Sequence, residues 1–173
     1  VCTHMSEDNV TAETTIDAPV DTVFDVLADP TTHEAIDGTG WVRESREGKP
    51  LTGTGQIFRM AMYVDGHPDG TGSYETANRI EVFDPPRAVA WKTGHAPGRA
   101  TSAGATDAEL EYGGWMWRYD LEPVAVDRTE VTLTYDWSAV PPEVREYIQF
   151  PPFEAQHLEN SLQHLAELAR ARS

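Results

Sequence analysis

Cysteine is almost missing from this chain: one residue in 173, Cys2. A structural disulfide, a thiolate nucleophile and a cysteine-ligated metal are therefore not expected. Cations are scarce as well, 13 Lys and Arg against 29 Asp and Glu, for a net charge of −16. Nucleic acid and anionic membrane surfaces both require clustered basic residues, so neither is an expected partner. No apolar run approaches the ~20 residues of a bilayer span, so membrane insertion is not expected. No charged-then-apolar leader opens the chain, so no secretory signal is expected and a cytoplasmic location is the simplest one. The Gly-x-Ser-x-Gly elbow and the His-Glu-x-x-His zinc helix are absent from the sequence. Leucine and isoleucine together number only fourteen.

What is there reads as one domain, long enough to bury a core without staples. Residues 1–5, Val-Cys-Thr-His-Met, read as an appended remnant ending at a natural start, Met5, with the domain running over 6–173. The stretch 153–171 follows Pro151-Pro152 and contains no Pro or Gly. Leu158, Leu162, Leu165 and Ala169 recur there at i, i+4, i+7 and i+11, the stripe of a long amphipathic helix. Arg170 and Arg172 at its end suit the helix dipole. Such a helix needs a broad apolar surface to cover.

The remaining segments supply that surface. Residues 10–16 alternate as a first strand. Two short helices follow: one after Pro19 bearing Val20, Val23, Phe24 and Leu27, and one through Ile36 with Thr31 and Glu34 as a capping box. Gly-Thr-Gly then occurs at 38–40, 53–55 and 70–72, each time ahead of strand-like sequence. The spacing predicts an antiparallel meander rather than phosphate loops, because none of these glycines follows a strand and opens a helix. Further strands are expected at 88–93, 115–123 and 129–138, with a long loop over 94–114. The sum is seven strands, two short helices after the first, and the long C-terminal helix.

Strand parity identifies the inward faces. Phe58, Met60 and Met62 share one; Tyr74, Thr76, Asn78, Ile80 and Val82 share another. Val89 goes with Trp91, Trp115 with Trp117, Tyr119 and Leu121, and Val131 with Leu133, Tyr135 and Trp137. Trp, Tyr and Met dominate where a tightly packed core would prefer aliphatics. Composition leaves two readings open: an amphipathic cavity for a ring-containing or lipid-like ligand, and a solid aromatic core.

The element order resembles the helix-grip fold of START-like proteins, the SRPBCC superfamily that includes polyketide cyclases. Ile16-Asp17-Ala18-Pro19, then Val23-Phe24 and Leu27-Ala28-Asp29-Pro30, look like that superfamily's opening. Asn78 to Pro86, running into Ala90-Trp91, resembles its central hairpin. The resemblance runs from about Val10 to Ala171 and specifies fold well and chemistry poorly. It implies an α+β helix-grip domain whose cavity, between sheet and C-terminal helix, holds a hydrophobic small molecule without a cofactor. Relatives include carriers, cofactor-free cyclases or dehydratases, and co-chaperone-like interaction modules; the last would need a large exposed apolar patch. No catalytic set of the superfamily maps onto positions here.

The expected ligand-facing set is Phe58, Met60, Met62, Tyr74, Asn78, Trp91, Trp115, Trp117, Tyr119 and Tyr135 from the sheet, with His157, Leu158, Ser161 and Leu162 from the helix. His157 and Tyr119 are the candidates for a base and an oxyanion donor. Glu154 is the other candidate base. Both bases fall in the first turns of the helix, at the mouth, where water would leave the His157 pKa ordinary; binding without chemistry is therefore expected. Arg59, Arg79 and Arg118 fall on the outward parity and are expected on a solvated face. His157 and His164 lie about 10 Å apart along one helix and cannot share a metal. The run 65–70 starts like a calcium loop but has His at its third position and Thr76 at its twelfth, so a hairpin tip is expected. The expected partner is a hydrophobic small molecule, the expected assembly a monomer or weak homodimer.

Overall fold

A computed structural model describes residues 2–37, 41–46, 48–63, 73–95, 105–146, 150 and 155–172. Two of the Gly-Thr-Gly repeats, the calcium-like run, Pro151-Pro152 and Glu154 lie outside the described residues.

The chain folds as an α+β helix-grip domain around one antiparallel sheet. Its strands are β1 (Cys2–Met5), β2 (Asn9–Ile16), β3 (Val42–Ser45), β4 (Ile57–Tyr63), β5 (Ser73–Asp84), β6 (Ala88–His95), β7 (Glu111–Ala125) and β8 (Arg128–Asp136). The order across the sheet is β1-β2-β8-β7-β6-β5-β4-β3. From β3 to β8 it is a meander of sequential neighbours, as the turn spacing predicts. Between β2 and β3 the chain crosses to the far edge through α1 (Val20–Leu27) and α2 (His33–Asp37). The strand count is eight, not seven. Residues 2–5, set apart in the sequence as a remnant, add an edge strand to β2, with Cys2 opposite Glu13 and Met5 opposite Val10. Backbone groups along β2 accept any extended partner of matching length, so pairing is not restricted to a patterned segment. The two short helices accordingly follow the second strand.

A long helix, α4 (Gln156–Arg172), lies across one half of the sheet, after a single turn of helix, α3 (Pro142–Arg145). It packs on β2, β8, α1 and α2. Leu158, Leu162, Leu165 and Ala169 are all fully buried, as are Val10, Ala12, Val131 and Leu133 on the strands. The stripe read from the sequence is therefore the seam of a solid aliphatic core. The buried cluster continues beyond it across the sheet, through Leu121, Val89, Ile80, Phe58 and Met60. Across β5 to β7 the concave face lies beyond α4 except at its first turn, where His157 meets Trp117.

Three local features depart from simple alternation. A bulge between Ile80 and Val82 shifts the parity of β5. Phe83, rather than Val82, then turns to the core, edge-on to Phe24 at 5.6 Å. On the outer face Arg59 is not simply solvated. It bridges Glu75 and Asp107, both at 3.1 Å, and donates to the Ala105 carbonyl at 2.8 Å. The segment around the short 3-10 turn Asp107–Glu109 covers it, leaving its side chain 17 % exposed. Third, the loop expected over 94–114 is shorter, because β6 continues to His95 and β7 begins at Glu111.

Two glycines make that early start of β7 possible. Gly113 lies under the Trp115 ring, where a Cβ would fall 2.0 Å from Cζ3. Gly114 has φ +99° and faces the Ala139 carbonyl, where a Cβ would fall 2.5 Å from the oxygen. An alanine at 114 meets both a disfavoured backbone region and a rigid backbone contact. Gly114→Ala is expected to cost ~2 kcal/mol or more and lower the melting temperature by roughly 4–8 °C. Thermal unfolding measures it; an unchanged transition would refute this packing.

Candidate functional site

The site is built from α2. Asp29-Pro30 ends α1, and the Asp29 carboxylate takes over the capping role, accepting from the Thr31 amide at 3.0 Å and from its hydroxyl at 2.6 Å. This replaces the capping box expected between Thr31 and Glu34: a 3-10 turn, Pro30–Thr32, comes first, so the cap falls two residues earlier. Thr32 donates to the Val26 carbonyl at 2.7 Å, closing α1 onto the start of α2. His33 and Asp37 then stand four residues apart on the inward face of α2.

His33 is buried. Its Nε2 donates to the Leu27 carbonyl at 2.9 Å, and its ring stacks on Trp91 at 5.3 Å and 17°. Phe58 meets both edge-on, 5.7 Å from His33 and 5.6 Å from Trp91, and Tyr119 lies 6.1 Å beyond Trp91. Burial lowers the His33 pKa from its ordinary value, outweighing the Leu27 carbonyl and Asp29, so the imidazole is neutral near pH 7.

Asp37 is 5 % exposed, a depth at which carboxylates are seldom found unpaired. Its Oδ2 accepts from the Val42 amide at 3.3 Å, and its Oδ1 lies 3.5 Å from His157 Nε2. The His157 side chain is only 12 % exposed. It is thus not at a wet mouth, because Asp37 of α2 and the Trp41 ring stand against it. Its pKa is lowered by burial, with Asp37 opposing and His164 adding to the shift. The ordinary value expected from the sequence is corrected accordingly. His164 donates from Nδ1 to the Ile36 carbonyl at 2.9 Å, so α2 is tied to α4 at a second point.

Aromatic rings surround this pair. Trp41 lies 6.1 Å and Trp117 6.3 Å from His157, and Trp117 lies 4.6 Å from Tyr135. Trp41 donates from Nε1 to the Tyr74 hydroxyl at 2.5 Å. Burial raises the pKa of Tyr74, Tyr119 and Tyr135, and Asp37 adds to the first two, so all three hydroxyls stay protonated and able to donate.

The expected site residues separate into groups. Phe58, Trp91 and Tyr119 gather around His33, while Trp117, Tyr135 and Tyr74 gather around His157 and Asp37. Trp115 packs on Phe150 at 5.8 Å. Met60, Met62 and Ser161 are buried. Leu158 and Leu162 belong to the solid core. Asn78 is engaged by the strands: its amide donates to the Phe58 carbonyl and the Thr76 hydroxyl, both at 3.4 Å, and its Oδ1 accepts from Thr93 at 3.0 Å. Sequence reasoning missed His33, Asp37 and Trp41. Their only signal was the one-turn spacing of His33 and Asp37 on a helix too short to show a periodicity. A cleft of about 580 Å³ opens at the β3–β5 edge, lined by Glu34, Arg43, Arg46, Tyr63 and Glu75, and it shares Met62 and Tyr74 with the concave face. It is displaced from the α4–β7 position where the sequence places a cavity. Among the described residues, no helix is long and apolar enough to cross a membrane.

No family model matches the chain. An uncharacterised protein of Mycobacterium tuberculosis is 27 % identical over 122 residues, 70 % of this chain. The match spans 44 % of that protein's length. Solved structures are similar over almost the whole chain. A Mycobacterium smegmatis protein has a TM-score of 0.67 at 15 % identity, covering 100 % of this chain and 99 % of that one. An Arthrobacter aurescens protein also scores 0.67, at 16 % identity, covering 99 % and 92 %. The ZhuI aromatase/cyclase of a Streptomyces species scores 0.56 at 20 % identity, covering 95 % and 94 %. At these identities the likeness is one of fold: this chain has the helix-grip architecture on which an aromatase/cyclase is also built.

Proposed function

We propose that this protein binds a hydrophobic, ring-containing small molecule on the concave face beyond α4, and that it is a member of the START-like superfamily. One observation carries the reading. The aliphatic positions under α4 are fully buried, whereas Tyr74, Trp91, Trp115 and Trp117 on the same side of the sheet are only half-buried. A face that keeps large aromatic rings accessible beside a solid core is the composition of a ligand site. The interaction-module alternative has less behind it: among the described residues the exposed large hydrophobics are Met5, Val124 and Val126, at a strand edge and a hairpin. Titration with sterols, fatty acids and aromatic polyketides, followed by tryptophan quenching, tests the reading. Saturable quenching by at least one class is expected, and none by any would contradict it.

A second reading is cofactor-independent cyclase or dehydratase chemistry, and the buried His157–Asp37 pair favours it. A neutral imidazole beside a carboxylate can take a proton from the carbon next to a ketone, with Asp37 stabilising the imidazolium that forms. The Tyr119 hydroxyl can donate to the enolate oxygen. His157→Ala separates the two readings. Retained binding with turnover lost by about a hundredfold or more establishes the chemistry. Absence of turnover in both proteins leaves binding alone.

A further inference from the structure

The cleft at the β3–β5 edge differs in chemistry from the aromatic face it adjoins. Among the described residues its lining carries two guanidiniums, Arg43 and Arg46, and three carboxylates, Glu34, Glu44 and Glu75. Arg46 reaches Glu44 at 3.6 Å and Glu75 at 3.2 Å, while Arg43 lies over the Tyr63 ring at 5.0 Å. Glu75 is held a second time by Arg59 at 3.1 Å, and its side chain is 12 % exposed, so this wall is set before a ligand arrives. The cleft also touches Met62 and Tyr74, a cross-strand pair. The Tyr74 hydroxyl accepts from Trp41, whose ring lies 6.1 Å from His157, so one aromatic pair joins the cleft to the ring-lined site. Its volume of about 580 Å³ falls within the range of small-molecule sites.

We propose that this cleft takes the uncharged, polyhydroxylated part of an amphipathic ligand, such as a sugar, whose ring portion lies among the indoles of the concave face. This rests on the binding reading above and extends its ligand class from a bare ring to a glycoside-like molecule. A hydroxyl donates to a carboxylate and accepts from a guanidinium, so neighbouring hydroxyls match a wall that presents both signs, each through a charge-assisted hydrogen bond. A head group of one charge is attracted by one set of side chains and repelled by the other. An anionic head also meets more carboxylates than guanidiniums in the lining, on a chain of net charge −16.

The test compares four probes that share one ring system, by titration calorimetry of the full chain near neutral pH: 2-naphthol, 2-naphthyl β-D-glucopyranoside, 2-naphthyl sulfate and 2-(aminomethyl)naphthalene. The glucoside is expected to bind about tenfold tighter than naphthol, and tighter than the sulfate and the ammonium. Arg46→Ala, in which Glu75 keeps Arg59, is expected to cut the glucoside's advantage over naphthol to about twofold or less. Glu34→Ala, at an exposed position of α2, reads the same loss if the first variant does not fold. A glucoside that binds no tighter than naphthol, or an advantage that survives both substitutions, overturns the cleft assignment while leaving the ring site standing. Tightest binding by the sulfate or the ammonium overturns the neutral head group. If no probe saturates, the binding reading fails and this one with it.

Discussion

Leu162→Ala in α4 is expected to lower stability by about 3 kcal/mol, within the ~2–5 kcal/mol typical of a fully buried leucine. Leu162 has no exposed surface and lies on the seam where α4 meets β2, α1 and α2. Truncation there removes the transfer free energy of the lost methyl groups and leaves a cavity that aliphatic neighbours held by β2, α1 and α2 cannot close. For a chain of this length the melting temperature falls by roughly 6–12 °C. Leu168, three residues from the seam residue Leu165 and only partly buried, supplies the contrast: its truncation is expected to cost about 1 kcal/mol or less. Equal losses at 162 and 168 would mean that α4 is not seated as described.

The second large effect is on acid stability. Burial lowers the pKa of both His33 and His157 relative to the unfolded chain, where a histidine titrates near ~6.5. Above that pH both states are neutral and the shifts have no effect. As pH falls through it, the unfolded chain takes up protons that the native fold refuses, and stability declines until the folded pKa values are reached. Each histidine contributes a slope of up to ~1.4 kcal/mol per pH unit in that window. The net charge of −16 acts in the opposite direction, because carboxylates that neutralise at lower pH repel one another less. Comparison with His33→Phe, which cannot titrate, isolates the histidine contribution. The variant is expected to lose visibly less stability between neutral and mildly acidic pH in denaturant unfolding. Parallel curves would show that His33 is not held neutral in the fold.

The architecture was largely legible because it follows from patterns with strong physical causes. A four-residue and three-residue spacing of leucines can only be one face of a helix, and strands separated by short glycine turns can only pair antiparallel. The eighth strand was illegible because edge pairing requires backbone and not a side-chain pattern. Val82 was misassigned because a bulge leaves no mark in an alternating sequence. At the site, the aromatic residues could be read from strand parity, but the polar centre could not. His33 and Asp37 sit on a helix of five residues whose orientation is set by tertiary contacts at Leu27, Val42 and Ile36. His157 was found, yet its environment was misjudged, because position in a helix's first turn says nothing about which other element closes over it. Burial is a property of the fold, and the inferred chemistry of the imidazole changed with it.

The central claim, that the aromatic half of the concave face is a ligand site, is tested most directly by mapping backbone and indole chemical shifts during titration with 2-naphthol. Saturable shifts are expected at Trp41, Trp91 and Trp117 and along α2 from His33 to Asp37, with Arg118 and Asp120 on the outer face unmoved. Shifts confined to the outer face or the Arg43–Tyr63 edge, or no saturable shift at all, would contradict it.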